Sequence, residues 1–131
     1  MIVADTSALI AIAFGEVERA RFMEILLHED SVLISSVSVL EARMVAHGRR
    51  GPRAVALIDD LLGLPVFLVI SPGPAEMEAA FRAFLVYGKG SGHAAALNFG
   101  DLFAYALAKV RGVPLLFKDD DFAETDIVPA V

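Results

Sequence analysis

Short apolar runs alternate with helical patterns along the whole chain, and this alternation constrains the fold more than any other feature. The runs cover residues 1–4, 32–34, 66–70 and 114–117, and residues 127–128 are a candidate fifth. Between them, apolar residues recur at the spacing of amphipathic helices. Because repeated strand-to-helix units favour parallel pairing with right-handed crossovers, the sequence predicts a three-layer α/β/α domain around a parallel sheet of four to five strands.

The boundaries of the helices follow from glycine, proline and small polar residues. The predicted helices cover residues 7–11, 16–28, 39–47, 53–62, 75–87 and 102–110, and residues 93–98 are compatible with one further turn. Gly48 is predicted to end the third of them and Gly112 the last. The run 66–70 is continuously apolar, which is typical of a parallel strand covered on both faces.

Composition limits the class of protein. The chain has 131 residues, of which 56% are hydrophobic, so we expect one domain over residues 1–131 with a substantial core. Its apolar segments are all shorter than the roughly 20 residues that span a bilayer, which predicts no membrane association. The absence of cysteine excludes disulfides and thiol catalysis. With no basic leader before Asp5, these features predict a cytoplasmic protein.

Acidic residues stand where the predicted strands end and helices begin. Asp5 follows the first run, Glu41 and Asp101 lie near helix starts, and residues 119–121 follow the fourth run. Parallel strands direct their carboxyl ends toward one crevice. Clustered carboxylates repel one another unless cations neutralise them, and hard oxygen ligands suit Mg²⁺ or Mn²⁺. The sequence therefore predicts a divalent-metal site for phosphoryl chemistry.

Each of these acids also has a structural interpretation, and the sequence leaves both open. Asp5 could cap a helix, and Asp101 could stabilise a helix N-terminus through the macrodipole. Ser38 and Glu41 match the spacing of a capping box, in which the glutamate accepts from the cap amide. The acids after the fourth run could form an ordinary polar turn.

The net charge and the grouping of basic residues limit how the protein could bind nucleic acid. A formal net charge of −6 argues against broad, charge-driven binding to nucleic acid, although acids concentrated in one metal site could account for much of it. Basic residues are grouped locally: Arg43, Arg49 and Arg50 lie close in sequence, and Lys89 lies in a glycine-rich loop. These four residues are candidates for RNA contacts, and a solvated turn is an equally good interpretation of the arginine group.

Several longer motifs carry a resemblance to a known family. They are residues 5–9, the segment from Ser38 to Glu41, residues 87–109, and residues 114–118 with 121–127. In this order they resemble the PIN-domain ribonucleases, specifically the VapC-type toxins of bacterial type II toxin–antitoxin pairs. The resemblance extends over nearly the whole chain.

The resemblance implies a set of functional residues. Asp5 and Asp101 are expected to be Mg²⁺ ligands, with Mn²⁺ as a substitute, and Glu41 completes the acidic site. The fourth acid is expected at Asp119, with Asp120 and Asp121 as alternatives, because this position varies within the family. Thr6 or Ser7 is expected to hydrogen-bond a ligand carboxylate or a phosphate oxygen.

The resemblance also implies the activity and the partners. The expected reaction is endoribonuclease cleavage by metal-activated water, which leaves 5′-phosphate and 3′-hydroxyl ends and inhibits translation and growth. A VapB-type antitoxin is expected to cover the site, and the toxin is expected to be a homodimer. Two alternatives remain: a catalytically silent PIN-like binding module, and a phosphoacceptor receiver domain, which would need an acid after a central strand where Asp59 and Asp60 sit in a helical pattern.

Overall fold

The computed structural model describes residues 1–118 and 120–131, and it shows a parallel four-stranded sheet between two layers of helices. The strand order is β3-β2-β1-β4, and each neighbouring pair is parallel. The strands are β1 (Ile2–Ala4), β2 (Val32–Ser35), β3 (Phe67–Ile70) and β4 (Leu115–Leu116). The predicted three-layer α/β/α class is confirmed.

In the described residues, six α-helices connect these strands and one 3-10 helix follows the last strand. They are α1 (Thr6–Ala13), α2 (Arg19–His28), α3 (Ser36–Arg50), α4 (Pro52–Leu62), α5 (Pro74–Tyr87), α6 (Phe99–Arg111) and the 3-10 helix Asp120–Glu124. No helix in the part of the chain that the structure describes is long and apolar enough to cross a membrane.

Alternating residues of the strands face two separate cores. In β1, Ile2 and Ala4 pack with the apolar faces of α1 to α4, whereas Val3 packs with α5 and α6. In β4, Leu116 joins the first core and Leu115 the second. Because successive side chains of a strand point to opposite faces, a sheet covered by helices on both sides needs apolar residues at every position.

The pairing of β1 with β4 continues one residue beyond β1. The backbone N–H of Asp5 donates to the carbonyl of Leu116 at 2.9 Å. The first acid is therefore fixed at the carboxyl edge of the sheet, between the ends of two strands.

Two helical predictions were wrong. The helix predicted to end at Gly48 continues to Arg50, and Gly51, with φ 78°, ends it. Gly48 has helical backbone, whereas Gly51 leaves the helical conformation with a positive φ that glycine adopts readily. Residues 93–98 form no helix; instead Gly88 and Leu97 make an isolated parallel bridge.

Two strand predictions also need correction. Leu68 and Val69 of β3 are about half exposed, so this edge strand is not covered on both faces, and an apolar run alone does not distinguish burial from an exposed apolar surface. Residues 127–128 add no fifth strand. Pro129 makes only an isolated bridge to Leu115, in which the Leu115 N–H donates to the Val128 carbonyl and the Ala130 N–H donates to the Leu115 carbonyl.

Candidate active site

A cleft of about 330 Å³ opens at the carboxyl edge of the sheet. Asp5, Glu41 and Asp101 all line it, although they come from the end of β1, from α3 and from α6. The structure therefore brings together three of the acids that the sequence predicts as site residues. Glu16 adds a fourth carboxylate to the lining.

Asp5 is 2% exposed and caps α1. Its Oδ2 accepts from the backbone N–H of Ser7 at 2.9 Å and from the Ser7 hydroxyl at 2.7 Å. The capping interpretation of this acid is thus confirmed. It leaves the metal-ligand prediction open, because the same carboxylate lines the cleft.

Asp101 lies in the first turn of α6 and forms a capping box with Asn98. The Asn98 backbone N–H donates to Asp101 Oδ2 at 3.0 Å, and the Asp101 N–H donates to Asn98 Oδ1 at 2.9 Å. Its carboxylate is 7% exposed. The structural role predicted for this acid at the helix start is therefore present as well.

The pKa of Asp101 is raised from 3.8 to about 7. Burial is the largest cause, and the negative charges of Asp5, Asp121 and Glu41 raise the pKa further, while the hydrogen bond from Asn98 lowers it. A buried carboxylate among like charges is costly to ionise without a neutralising cation. The site is thus suited to bind either a proton or a metal ion.

Glu41 does not form the capping box that the sequence suggested. The helix starts earlier: Ser35 caps α3 by accepting from the Val37 N–H at 3.2 Å, and Ser38 is buried inside the helix. The serine at the end of β2 takes the capping role, which places Glu41 in the second turn. Its carboxylate lies directly against the α-carbon of Gly100 in α6.

The fourth predicted acid, Asp119, lies outside the described residues. Its alternatives Asp120 and Asp121 are in the 3-10 helix that follows. Asp121 is close enough to Asp101 to raise its pKa, whereas Asp120 is exposed. Among the described alternatives, Asp121 is therefore the one that the fold brings toward the cleft.

The two hydroxyl residues after Asp5 have different contacts. Ser7 contacts the carboxylate of Asp5, as predicted for one member of the pair. The hydroxyl of Thr6 instead donates to the carbonyl of Ser38 at 3.2 Å. Thr6 thereby links α1 to α3 in the core rather than pointing at an acidic side chain.

The predicted RNA-contacting residues occupy different environments. Arg49 lines the cleft, but the guanidinium of Arg43 pairs with Asp59, with its Nε 3.2 Å from Oδ1. The guanidinium of Arg50 lies 4.2 Å from the centre of the Phe14 ring, and Lys89 is exposed in the loop after α5. Of the four, Arg49 alone lines the same cleft as the acids.

Sequence reasoning missed one ion-paired group at the rim. Lys118 Nζ lies 2.9 Å from Glu16 and 3.3 Å from Glu18, and these acids raise the pKa of the lysine. The position of Lys118 after β4 was a usable signal, but no local pattern connects it with Glu16, which lies 102 residues earlier, or with Glu18. The receiver-domain alternative fails at Asp59 and Asp60, which lie inside α4 rather than after a strand.

The donor set is suitable for Mg²⁺. Within residues 1–118 and 120–131, no three acidic or histidine side chains are arranged so that they could hold one ion together. Mg²⁺ usually keeps several waters and is bound through only one or two carboxylates, so a pair such as Asp5 and Asp101 meets its chemistry. The raised pKa of Asp101 is a second observation in favour of a cation here.

Comparisons with known proteins agree with this geometry. The PIN domain family model matches residues 2–128. Ribonuclease VapC42 of Mycobacterium tuberculosis is 39% identical over 128 residues, which are 98% of each chain.

Two solved structures show the same fold at lower identity. One is VapC20 of Mycobacterium tuberculosis, a sarcin-ricin loop cleaving toxin (TM-score 0.79, 19% identity, 98% and 97% of the two chains covered). The other is VapBC2 of Rickettsia felis bound to a DNA fragment from its promoter (TM-score 0.74, 15% identity, 98% and 96% covered). By its family match and its curated relatives, the chain belongs to the PIN-domain family and, within it, to the VapC ribonucleases.

Proposed function

We propose that this protein is a Mg²⁺-dependent endoribonuclease toxin of a type II toxin–antitoxin module. The observation that carries the proposal is the buried Asp101 beside Asp5 and Glu41 in one cleft, with a pKa of about 7. Such a carboxylate gains most from a divalent cation, and phosphodiester hydrolysis is a common use of oxygen-bound Mg²⁺. Mn²⁺ is expected to substitute because it accepts the same oxygen ligands.

The acidic residues of the cleft have different proposed roles. Asp5 and Asp101 would hold the ion, with Glu41 and the acid predicted at Asp119 completing the acidic surface. When bound, the ion supplies Lewis acidity and a water nucleophile at neutral pH. The Ser7 hydroxyl orients the carboxylate of Asp5, and the backbone N–H of Asn98 orients that of Asp101.

The bond broken follows from the predicted product ends. The oxygen of water bonds to phosphorus and the bond from phosphorus to the 3′-oxygen breaks. A proton from the water ends on that oxygen, which leaves as a 3′-hydroxyl, while the phosphate stays on the 5′-oxygen of the downstream nucleotide. Arg49 at the cleft is placed to contact a phosphate oxygen. Cleavage of an RNA that translation needs would inhibit growth.

The proposed partner is a VapB-type antitoxin. An apolar groove of about 390 Å³ adjoins the acidic cleft, and Glu41 and Asn98 line both. Its wall includes Leu40, Met44 and Phe99, which are 58%, 65% and 74% exposed. A partner segment with apolar side chains in this groove and one basic side chain among the acids would match both surfaces.

A second copy of the chain is the proposed partner for α5. Phe81, Phe84, Leu85 and Val86 leave an exposed apolar surface on this helix. Surfaces of this kind on a small protein are typical of interaction sites. The homodimer is tested by sedimentation of the antitoxin-free protein, in which Phe81→Glu should shift the mass toward that of a monomer.

The silent binding module is the second candidate, because the apolar groove would accept a partner segment whether or not the acids bind an ion. A binding module would keep the apolar groove but bind no Mn²⁺.

The deciding experiment uses purified, antitoxin-free protein and total RNA with Mg²⁺ or Mn²⁺. EDTA and the Asp101→Asn variant are the controls, and the cut ends are mapped. The proposal expects discrete, metal-dependent cuts with 5′-phosphate ends that the variant does not make. Intact RNA together with no Mn²⁺ binding would support the silent module.

A further inference from the structure

We infer that Gly100 is a positioning residue for Glu41, because its missing side chain leaves the space that the glutamate carboxylate occupies beside Asp101. This inference deepens the proposed function and rests on it. Gly100 is buried in the first turn of α6, one residue before Asp101. It therefore stands where α3 and α6 meet at the cleft.

The steric observation is specific to one side chain. A β-carbon built at Gly100 would overlap Oε2 of Glu41 and would lie 2.6 Å from Cδ and 2.8 Å from Oε1. All three nearest atoms thus belong to the same carboxylate, and none belongs to backbone. The space is shaped by Glu41 and not by the packing of the two helix backbones.

The backbone gives no other reason for glycine at this position. Gly100 has helical backbone, and it is not among the glycines with positive φ. Glycine is unfavourable in helices relative to alanine. The residue therefore lowers helix stability locally, while it allows the carboxylate to approach the start of α6.

The consequence for the site is geometric. An alanine methyl group at position 100 would force the flexible Glu41 side chain to rotate away from α6 and from Asp101. The backbone would not have to move. Glu41 lies beside the proposed ligand Asp101, and loss of such an outer-shell partner typically lowers metal affinity or activity about tenfold to a hundredfold, so a loss of this size is expected from Gly100→Ala.

The test is a double-mutant cycle of the full chain with Gly100→Ala, Glu41→Ala and both changes together. Gly48→Ala is the matched control, because Gly48 is also helical and nothing described lies within 4 Å of its would-be β-carbon. Two quantities are measured on each protein: the melting temperature in EDTA, and the affinity for Mn²⁺ by calorimetry.

The expected result is coupling in both quantities. Gly100→Ala should raise the melting temperature by roughly 2–4 °C more in the Glu41→Ala background than in the wild type. It should lower Mn²⁺ affinity at least about tenfold when Glu41 is present, and not at all when Glu41 is absent. Gly48→Ala should leave Mn²⁺ affinity unchanged.

Three results would overturn the inference. The first is an equal shift in melting temperature on Gly100→Ala in the wild-type and Glu41→Ala backgrounds. The second is an unchanged Mn²⁺ affinity in Gly100→Ala. The third is a fall in melting temperature in both backgrounds, which would show that the methyl group displaces backbone. The melting cycle needs no metal and no RNA. If the wild type neither binds Mn²⁺ nor cuts RNA, the proposed function fails, and the melting cycle still decides whether the carboxylate fills this space.

Discussion

Ser7 holds one oxygen of Asp5 by two groups, with its backbone N–H 2.9 Å and its hydroxyl 2.7 Å from Oδ2. The same hydroxyl accepts from the backbone N–H of Lys118 at 3.0 Å. A single side chain thus joins the end of β1, the start of α1 and the segment after β4. The orientation of the first acid depends on this contact.

Ser7→Ala should lower both the stability of the fold and the affinity of the site for Mn²⁺. Loss of a hydrogen bond to a carboxylate should lower the free energy of unfolding by about 1.5–3 kcal/mol. Mn²⁺ affinity should fall about tenfold, because Asp5 loses the hydroxyl that donates to its Oδ2. Urea unfolding and calorimetry check both, with the exposed Ser71→Ala as control. An unchanged Mn²⁺ affinity would show that the hydroxyl does not orient a ligand.

The stability of the metal-free protein should depend on Asp101 in a defined pH window. Its pKa is about 7 when folded and 3.8 as the ordinary value, so the folded state binds more protons between these limits. The contribution of the Asp101 carboxyl to the free energy of unfolding therefore falls as the pH rises from about 4 to 7, and it is constant above pH 7.

Urea unfolding in EDTA at several pH values measures this effect. The free energy of unfolding of Asp101→Asn should decline less between about pH 4 and pH 7 than that of the wild type. The variant should also be the more stable protein at pH 8. Comparison of the two proteins cancels the contributions of other groups. Parallel pH profiles for wild type and variant would contradict the raised pKa.

A cluster on α6 should hold the C-terminal segment. Tyr105 Oη donates to Asp126 Oδ1 at 2.5 Å, and Lys109 Nζ lies 2.6 Å from Oδ2. Both contacts lower the pKa of Asp126. Since the ion pair is about half exposed, Asp126→Asn should cost only about 1 kcal/mol at pH 7.

Hydrogen exchange of residues 120–131 and urea unfolding detect this loss. Asp60→Asn, an exposed change on α4, is the control. Because the folded pKa of Asp126 is lowered, its contribution is present above the ordinary pKa of 3.8 and lost as pH falls through the folded value. Equal rates of hydrogen exchange for residues 120–131 in the two variants would show that Asp126 does not hold the C-terminal segment against α6.

Arg49 and Arg43 offer a matched pair for RNA binding. Arg49 lines the cleft, whereas Arg43 is engaged with Asp59. Arg49→Ala should weaken RNA binding uniformly across sequences and reduce the slope of its salt dependence by about one. Arg43→Ala should change RNA affinity little and cost at most about 1 kcal/mol of stability. Filter binding at several salt concentrations separates them, and equal losses would contradict the assignment of Arg49.

Local sequence was sufficient for the sheet and for two of the acids. Apolar runs predicted the four strands, and in β1, β2 and β4 the reason is that parallel strands covered by helices bury consecutive side chains. Asp5 and Asp101 could be found because a carboxylate after a strand or at a helix start has a local hydrogen-bonding signature, and the structure shows both caps. The order of strands and helices also determined that these two positions meet at one edge.

Tertiary structure decided what depends on contacts between distant segments. Only the approach of α3 to α6 places the Glu41 carboxylate against Gly100. The pairing of Lys118 with Glu16 likewise joins segments about a hundred residues apart. Spacing along one helix or strand encodes hydrogen bonds and periodicity, but the distance between two helices is set by the side chains packed between them, which no single segment contains.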